Sequence, residues 1–297
     1  MKQGCVLAPT LFGIFFAVIL HHVFNETTGD IFIRTRFDGQ FFNLARLRSK
    51  TKTTEVLISE LLFADDAAIV AHSGETLQSL INSLDRACDV FSLSINVNKT
   101  VVLSQGPSPT TNISLKNCPL RTVESFNYLG STIMSTFSLE EEINIRLGKA
   151  STTFGRLSKR VWKNAKLTLR TKILIYQACV LSTLLYGAET WTIYARQEKK
   201  LHGFHMRSLR KIMNIQWHEK ITNTEILKKA KIPSLLATLT KRRLRWLGHI
   251  RRMTNNRIPK QVFFGELSEG KRARGRPKLR FKDLCKASMT EFKIKPD

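Results

Sequence analysis

The chain has 297 residues, a formal net charge of +25 and a pI near 10.3. That length allows two or three domains with a sizeable core, and the charge points to a polyphosphate partner. Five scattered cysteines (Cys5, Cys88, Cys118, Cys179, Cys285) form no Cys-x-x-Cys pair, which argues against a zinc knuckle or a disulfide framework and fits a reducing compartment.

In chain order, residues 11–20 are an apolar run that Pro9 opens as a helix. The run is shorter than the roughly 20 residues a bilayer span needs, and no small-residue cleavage site follows it. Being apolar nearly all round, this helix is expected to be buried. Asp38-Gly39 reads as a hairpin turn joining 31–37 to 40–44.

Residues 61–71 read Leu-Leu-Phe-Ala-Asp-Asp-Ala-Ala-Ile-Val-Ala, the most informative stretch in the chain. The pattern predicts short strands over 61–64 and 67–71 with Asp65 and Asp66 at the tip between them. Adjacent carboxylates in an apolar setting repel and resist desolvation. A divalent cation relieves both problems, and Mg2+ prefers carboxylate oxygens. The competing reading is a hairpin that merely uses Asp at its turn, which the missing Gly weakens.

Leu77, Leu80, Ile81, Leu84, Ala87, Cys88 and Phe91 recur at helical spacing. A strand is expected over 96–103, a loop over 104–119, and two short strands around Tyr128-Leu129-Gly130. From Ser138, which forms a capping-box pattern with Glu141, the chain turns helical. Further helices are expected over 167–185 and 195–214, then after Thr222 and after Ser234. Lys149, Arg156, Lys159, Arg160, Lys163 and Lys166 fall at an exposed end of the first helix pair. Arg242, Arg243 and Arg245 are candidate phosphate contacts, with Trp246 and Leu247 as core anchors. His202 and His205 are expected at the surface, and beyond residue 257 the regular pattern fades.

The charge is lopsided. Residues 1–138 hold 11 Lys plus Arg and 11 Asp plus Glu, whereas residues 139–297 hold 37 and 12, so the whole excess lies in the second half. A neutral first half joined to a basic binding half is the organisation this implies.

Gln3-Gly4-Cys5 with Pro9 and Phe12, then Phe63-Ala64-Asp65-Asp66, then Asn96, Lys99 and Thr100, then Phe126-Asn127-Tyr128-Leu129-Gly130 stand in a fixed order. That ordered set resembles the reverse transcriptase of non-LTR (LINE-type) retrotransposons over nearly the whole chain. The resemblance implies an α+β fold: an incomplete polymerase palm, a short antiparallel sheet with helices, then an all-helical thumb and a basic helical C-terminal region. The implied divisions are a partial palm over 1–135, thumb helices over 136–192, the basic helical region over 193–256 and a basic tail over 257–297.

By the same resemblance Asp65 and Asp66 are catalytic and hold Mg2+, Asp65 as the direct ligand. Gln3, Gly4 and Lys99 lie along template and nucleotide, and Tyr128, Leu129 and Gly130 grip the primer end. The implied partners are RNA and DNA, with no membrane, in the nucleus or cytoplasm. In the family a third catalytic aspartate sits on a strand upstream of the Gln-Gly motif. Here Gln3 stands two residues after Met1, so the expectation is an N-terminally truncated RNA-directed DNA polymerase that is inactive alone. The alternative is a non-catalytic RNA- or DNA-binding remnant. Residues 271–278, with Arg274 and Arg276 about a Gly-Arg-Pro centre, resemble an AT-hook; a nonspecific basic tail or nuclear-import signal reads equally well.

Overall fold

The computed structural model describes residues 6–26, 29, 31–38, 42–49, 51–58, 60–64, 66–106, 112–269, 275 and 278–294. The chain divides into two compact units, residues 1–126 with 254–274, and residues 127–253 with 275–297. Helices and small, mostly antiparallel sheets make it an α+β protein.

In the first unit, helix α1 (Ala8–Glu26) packs on α2 (Gly74–Val90) through Ile19, Val23 and Ala87, and Phe15 meets Phe91 edge-on at 5.6 Å. The expected burial of the apolar run is corrected here. Only one stripe of α1 is covered, and Leu11, Ile14 and Val18 are exposed. Ser73 caps α2, its side chain accepting from the Thr76 amide at 3.0 Å.

Strand β1 (Phe32–Thr35) does not pair with residues 42–44, the described part of the expected partner strand. It pairs antiparallel with β2 (Thr54–Leu57), Ile33 opposite Val56, and residues 44–48 form a 3-10 turn; residues 39–41 of the expected hairpin lie outside the described residues. The Arg36 side chain, donating to Asp38 at 3.0 Å, holds the Asp38 carboxyl below its usual range.

Strand β3 (Glu60–Phe63) and β4 (Asp66–Ile69) form a separate hairpin. The stretch expected as a strand over 96–103 is a turn followed by the two-residue β5 (Val101–Val102), which pairs in parallel with β8 (Arg121–Thr122). Within the stretch read as loop, β6 (Ser114–Leu115) and β7 (Cys118–Pro119) make a hairpin whose turn residues Lys116 and Asn117 have φ of 49° and 63°. Ile113, Leu115 and Leu120 pack there against Ile81 of α2.

The first unit is completed from the far end of the chain, where the sequence pattern fades. Helix α9 (Ile258–Phe264) runs into β11 (Glu266–Leu267), which adds to the other edge of β1. Gly265 permits this, because a Cβ there would lie 2.4 Å from Ile33 Cγ2 and 2.9 Å from the Arg34 carbonyl oxygen. Arg46 ties the piece in, donating to the Phe264 carbonyl at 2.7 Å.

The second unit begins within β9 (Ser125–Tyr128), whose hairpin with β10 (Ser131–Met134) leads into α3 (Glu140–Arg156). The Ser138 capping box does not form as expected; its hydroxyl accepts from the Glu140 amide at 3.2 Å instead. A π-helical turn over Ser158–Trp162 follows. Helix α4 (Leu169–Ile175) passes through a second π-helical stretch, Tyr176–Leu181, into α5 (Ser182–Leu184). Then come α6 (Ala195–Ile212), α7 (Asn223–Ala230), α8 (Leu235–Arg252) and α10 (Phe281–Glu291). The capping box at Thr222 and Glu225 is present, with both reciprocal bonds formed at 3.0 and 3.3 Å. One large core joins Ile143, Phe154, Trp162, Tyr176, Leu184, Leu201, Leu209 and Leu239.

Candidate functional site

The β3–β4 hairpin carries the carboxylate pair. Phe63 stands opposite Asp66, so only Ala64 and Asp65 separate the strands. Asp65 lies outside the described residues, as do Gln3, Gly4, Arg274 and Arg276. Ala64 takes φ of 53°, the left-handed conformation a two-residue turn requires. For an alanine this conformation costs about 1–2 kcal/mol. The hairpin therefore forms without the glycine whose absence argued against it. Asp66 is not at the tip but is the first residue of β4, and it is exposed. The desolvation argument for a metal thus does not hold for Asp66, since water reaches its carboxylate. The neighbouring Phe63 is 63% exposed, on the same face as Leu61 and Asp66.

Lys99 is exposed on a turn built by Asn96, whose side chain accepts from the Lys99 amide at 3.2 Å and whose carbonyl accepts from the Thr100 hydroxyl at 2.9 Å. An Asx turn thus holds the Lys99 backbone while leaving its ammonium in solvent.

In the second unit, Tyr128, Leu129 and Gly130 form the β9–β10 turn. Leu129 and Gly130 have φ of 50° and 82°. The turn is clamped from α3 by residues that the sequence reading passed over. Glu142 and Arg146 are 2% and 5% exposed and pair across one helical turn, Arg146 Nε to Glu142 Oε1 at 2.7 Å. Glu142 Oε2 accepts from the Thr132 amide at 2.8 Å, and Arg146 also donates to the Gly130 carbonyl. The Arg146 guanidinium lies 4.5 Å from the ring centre of Tyr186, whose hydroxyl donates to the Leu129 carbonyl at 3.1 Å. Both turn carbonyls are therefore held, and a Cβ on Gly130 would meet the Tyr186 ring at 3.4 Å.

The arginines of α8 do not act as one patch. Arg243 is buried, its guanidinium donating to Ser288 of α10 at 2.9 Å. Burial lowers its pKa, and it pushes the nearby Cys285 thiol up to about 12. Arg242 donates to the Leu185 carbonyl at 2.6 Å and to Glu189 at 3.2 Å. Of the three, only Arg245 is fully in solvent. Leu247 is buried as expected, and Trp246 is half-buried beside His249. Lys278 donates to the Thr136 carbonyl at 2.6 Å and lies over the Phe137 ring, so this end of the basic run is docked. His205, expected at the surface, is buried; its Nδ1 meets the Tyr176 hydroxyl at 2.9 Å.

Residues 1–133 match the family model of the reverse transcriptase (RNA-dependent DNA polymerase). Over those residues the chain is similar to reverse transcriptases. The matched segment takes in both the Ala64-Asp65 turn and the Leu129-Gly130 turn. The chain is also 24% identical over 248 residues to an uncharacterised transposon-derived protein of Caenorhabditis elegans, covering 78% of this chain and 86% of the relative. It is 23% identical to an RNA-directed DNA polymerase from the mobile element jockey of Drosophila melanogaster, covering 79% of this chain and 24% of the relative. The counterpart of Drosophila funebris is 26% identical over 82% of this chain and 25% of the relative. The chain thus spans about a quarter of the jockey polymerases. Each alignment is longer than the matched segment, so the similarity to these relatives extends beyond residue 133.

Reverse transcriptases use divalent metal ions, and oxygen donors such as the Asp66 carboxylate suit Mg2+. Among the described residues, however, no three His, Cys, Asp or Glu side chains converge. A two-cation centre with ions about 3.5–4 Å apart needs more carboxylates than these. The described donors therefore do not complete a site for the metal. Among the described residues, no helix is long and apolar enough to cross a membrane.

Proposed function

We propose that this chain is the palm-end and thumb portion of a retrotransposon RNA-directed DNA polymerase that engages RNA template and DNA primer. The observation that carries this reading is the segment matched to reverse transcriptases, with an exposed Asp66 at the foot of a tight hairpin. In this reading Asp65 and Asp66 are the donors for Mg2+, Gln3, Gly4 and Lys99 contact template and nucleotide, and the Tyr128-Leu129-Gly130 turn bears on the primer end. The helical unit is the thumb, and it holds the duplex through its excess of cations. The nucleus or cytoplasm is where such an activity would meet its substrates.

Binding is the part of this function that the described residues can supply, because the carboxylates they bring together do not complete the metal centre. The test measures binding of a labelled RNA–DNA hybrid and primer extension in Mg2+ or Mn2+. Binding that weakens steeply with salt, without extension, is expected. Failure to bind the hybrid at low salt would overturn the function. Extension abolished by Asp65→Ala or Asp66→Ala would instead establish a complete catalytic centre and refute the restriction to binding.

A further inference from the structure

The second unit contains an open cavity of about 750 Å3 whose lining includes Lys163, Lys172, Lys211 and Lys229. These lysines come from four elements: the end of the first π-helical turn, α4, the last turn of α6, and α7. Lys172, Lys211 and Lys229 each stand in the last turn of their own helix, where a cation complements the dipole, and Lys163 caps the π-helical turn, so four helix ends converge on one opening. None of the four is in an ion pair among the described residues. The one carboxylate in the lining, Glu219, is occupied in accepting from the Gln216 amide at 2.6 Å. Lys172 is held in place by donating to the Trp162 carbonyl at 2.9 Å.

The lining also indicates what kind of anion fits. Trp162 is its only aromatic side chain, but it is buried and stacked on Phe154 at 4.9 Å, so it offers no face on which a base could stack. The rest of the wall is Leu169, Ile212, Met213 and Ile215 with Ser158 and Asn214. Such a surface recognises charge rather than a base edge. Exposed Lys159, Arg160, Lys166 and Arg170 continue the basic stretch in the adjoining sequence. A π-helical turn forms part of the wall, and such turns are frequent at functional sites.

We propose that this lysine-lined cleft is where the helical unit grips the sugar–phosphate backbone of a nucleic-acid strand, independently of sequence. The inference rests on the nucleic-acid function proposed above and moves its main contact from the α8 arginines to Lys163, Lys211 and Lys229. The experiment compares wild type, the cleft variant Lys163→Gln/Lys211→Gln/Lys229→Gln, and the α8 variant Lys241→Gln/Arg245→Gln/Arg252→Gln. Fluorescence anisotropy with a labelled 20-base-pair duplex is read across a potassium chloride series.

Each lost phosphate contact removes about 0.9 from the slope of log K against log salt. The cleft variant should therefore lose roughly 2–3 units of slope and bind at least ~10-fold more weakly at 0.1 M salt, with the α8 variant close to wild type. If wild type does not bind, the proposed function and this inference both fail. If wild type binds and the cleft variant keeps its slope, only this inference fails; a loss confined to the α8 variant likewise overturns it. Should the triple variant not fold, single Lys163→Gln and Lys229→Gln variants must each lower the slope by about 0.9, and an unchanged slope refutes the cleft.

Discussion

Replacing Arg146 by Met tests the clamp on the Leu129-Gly130 turn. The substitution keeps an unbranched chain of similar length and removes the cation, leaving the Glu142 carboxylate buried with one remaining neutral donor, the Thr132 amide. Breaking a buried ion pair from one side costs about 3–5 kcal/mol, because a charge is left without its counter-ion. The Gly130 carbonyl also loses its donor, worth about 1 kcal/mol. The double variant Glu142→Gln/Arg146→Met leaves no charge behind, and its Gln carbonyl can still accept from Thr132. It should therefore recover at least ~2 kcal/mol relative to the sum of the single variants. All four tryptophans (Trp162, Trp191, Trp217, Trp246) lie in the second unit, so urea unfolding followed by tryptophan fluorescence reports on that unit alone. A loss below about 1 kcal/mol for Arg146→Met, or additive single effects, would show that the pair does not organise the turn.

The buried His205 makes the second unit acid-sensitive. Burial lowers its pKa from 6.5 to about 4. Between those values the unfolded chain binds a proton that the folded chain does not, so stability is fully present above pH 6.5 and is lost as pH falls toward 4. The loss amounts to about 3 kcal/mol, and His205→Phe should flatten this part of the pH–stability curve. An unaltered pH slope in the variant would refute the assignment. The α8 arginines should separate by role: Arg243→Gln lowers the melting temperature, whereas Arg245→Gln leaves it within a degree or two. Equal melting temperatures would contradict the burial of Arg243. Ala64→Gly should stabilise the β3–β4 hairpin by about 0.5–1 kcal/mol, read as slower amide hydrogen exchange in β3 and β4, because glycine takes positive φ without strain. Faster exchange would show that the turn does not adopt that conformation.

Helical periodicity was the most legible signal in the sequence. The inward faces of α2 and α3 follow from it, and so does the start of α8 at Ser234, whereas His205 on the inward face of α6 was read as a surface residue. The strands on either side of Ala64-Asp65 and Leu129-Gly130 were legible, but the β6–β7 hairpin was read as loop because its turn does not use an Asn-Gly or Asp-Gly pair. Ala64, Lys116, Asn117 and Leu129 are non-glycine residues at positive φ, so the turns at Ala64-Asp65 and Lys116-Asn117 carry no glycine at all. The return of β11 to β1 was invisible for another reason. A two-residue strand has no periodicity, and its register depends on a partner more than two hundred residues away. The apolar run in α1 misled because composition says how much of a helix could be buried, whereas the packing on α2 sets how much is.

The most useful missed signal concerns charge. Arg243 shares a helical stripe with Leu239, Leu247 and Ile250, and Glu142 and Arg146 share one with Ile143 and Ala150. Charged residues on an inward stripe are structural before they are functional. The same logic sharpens the case for binding. The second half of the chain has 12 acids against 37 cations. Several of those acids have internal tasks: Glu142 pairs with Arg146, Glu140 with Lys200 and Glu189 with Arg242. Glu219, Glu225 and Asp283 accept from backbone amides at turns or helix starts. Half of the acids are thus placed by the fold rather than by the exposed lysines, and the cations outnumber all twelve threefold. The positive field at the surface follows from that excess and from where the fold fixes the acids: ion-paired Glu140, Glu142 and Glu189 cancel cations away from the lysine-lined cleft, where four lysines meet one lining carboxylate, Glu219.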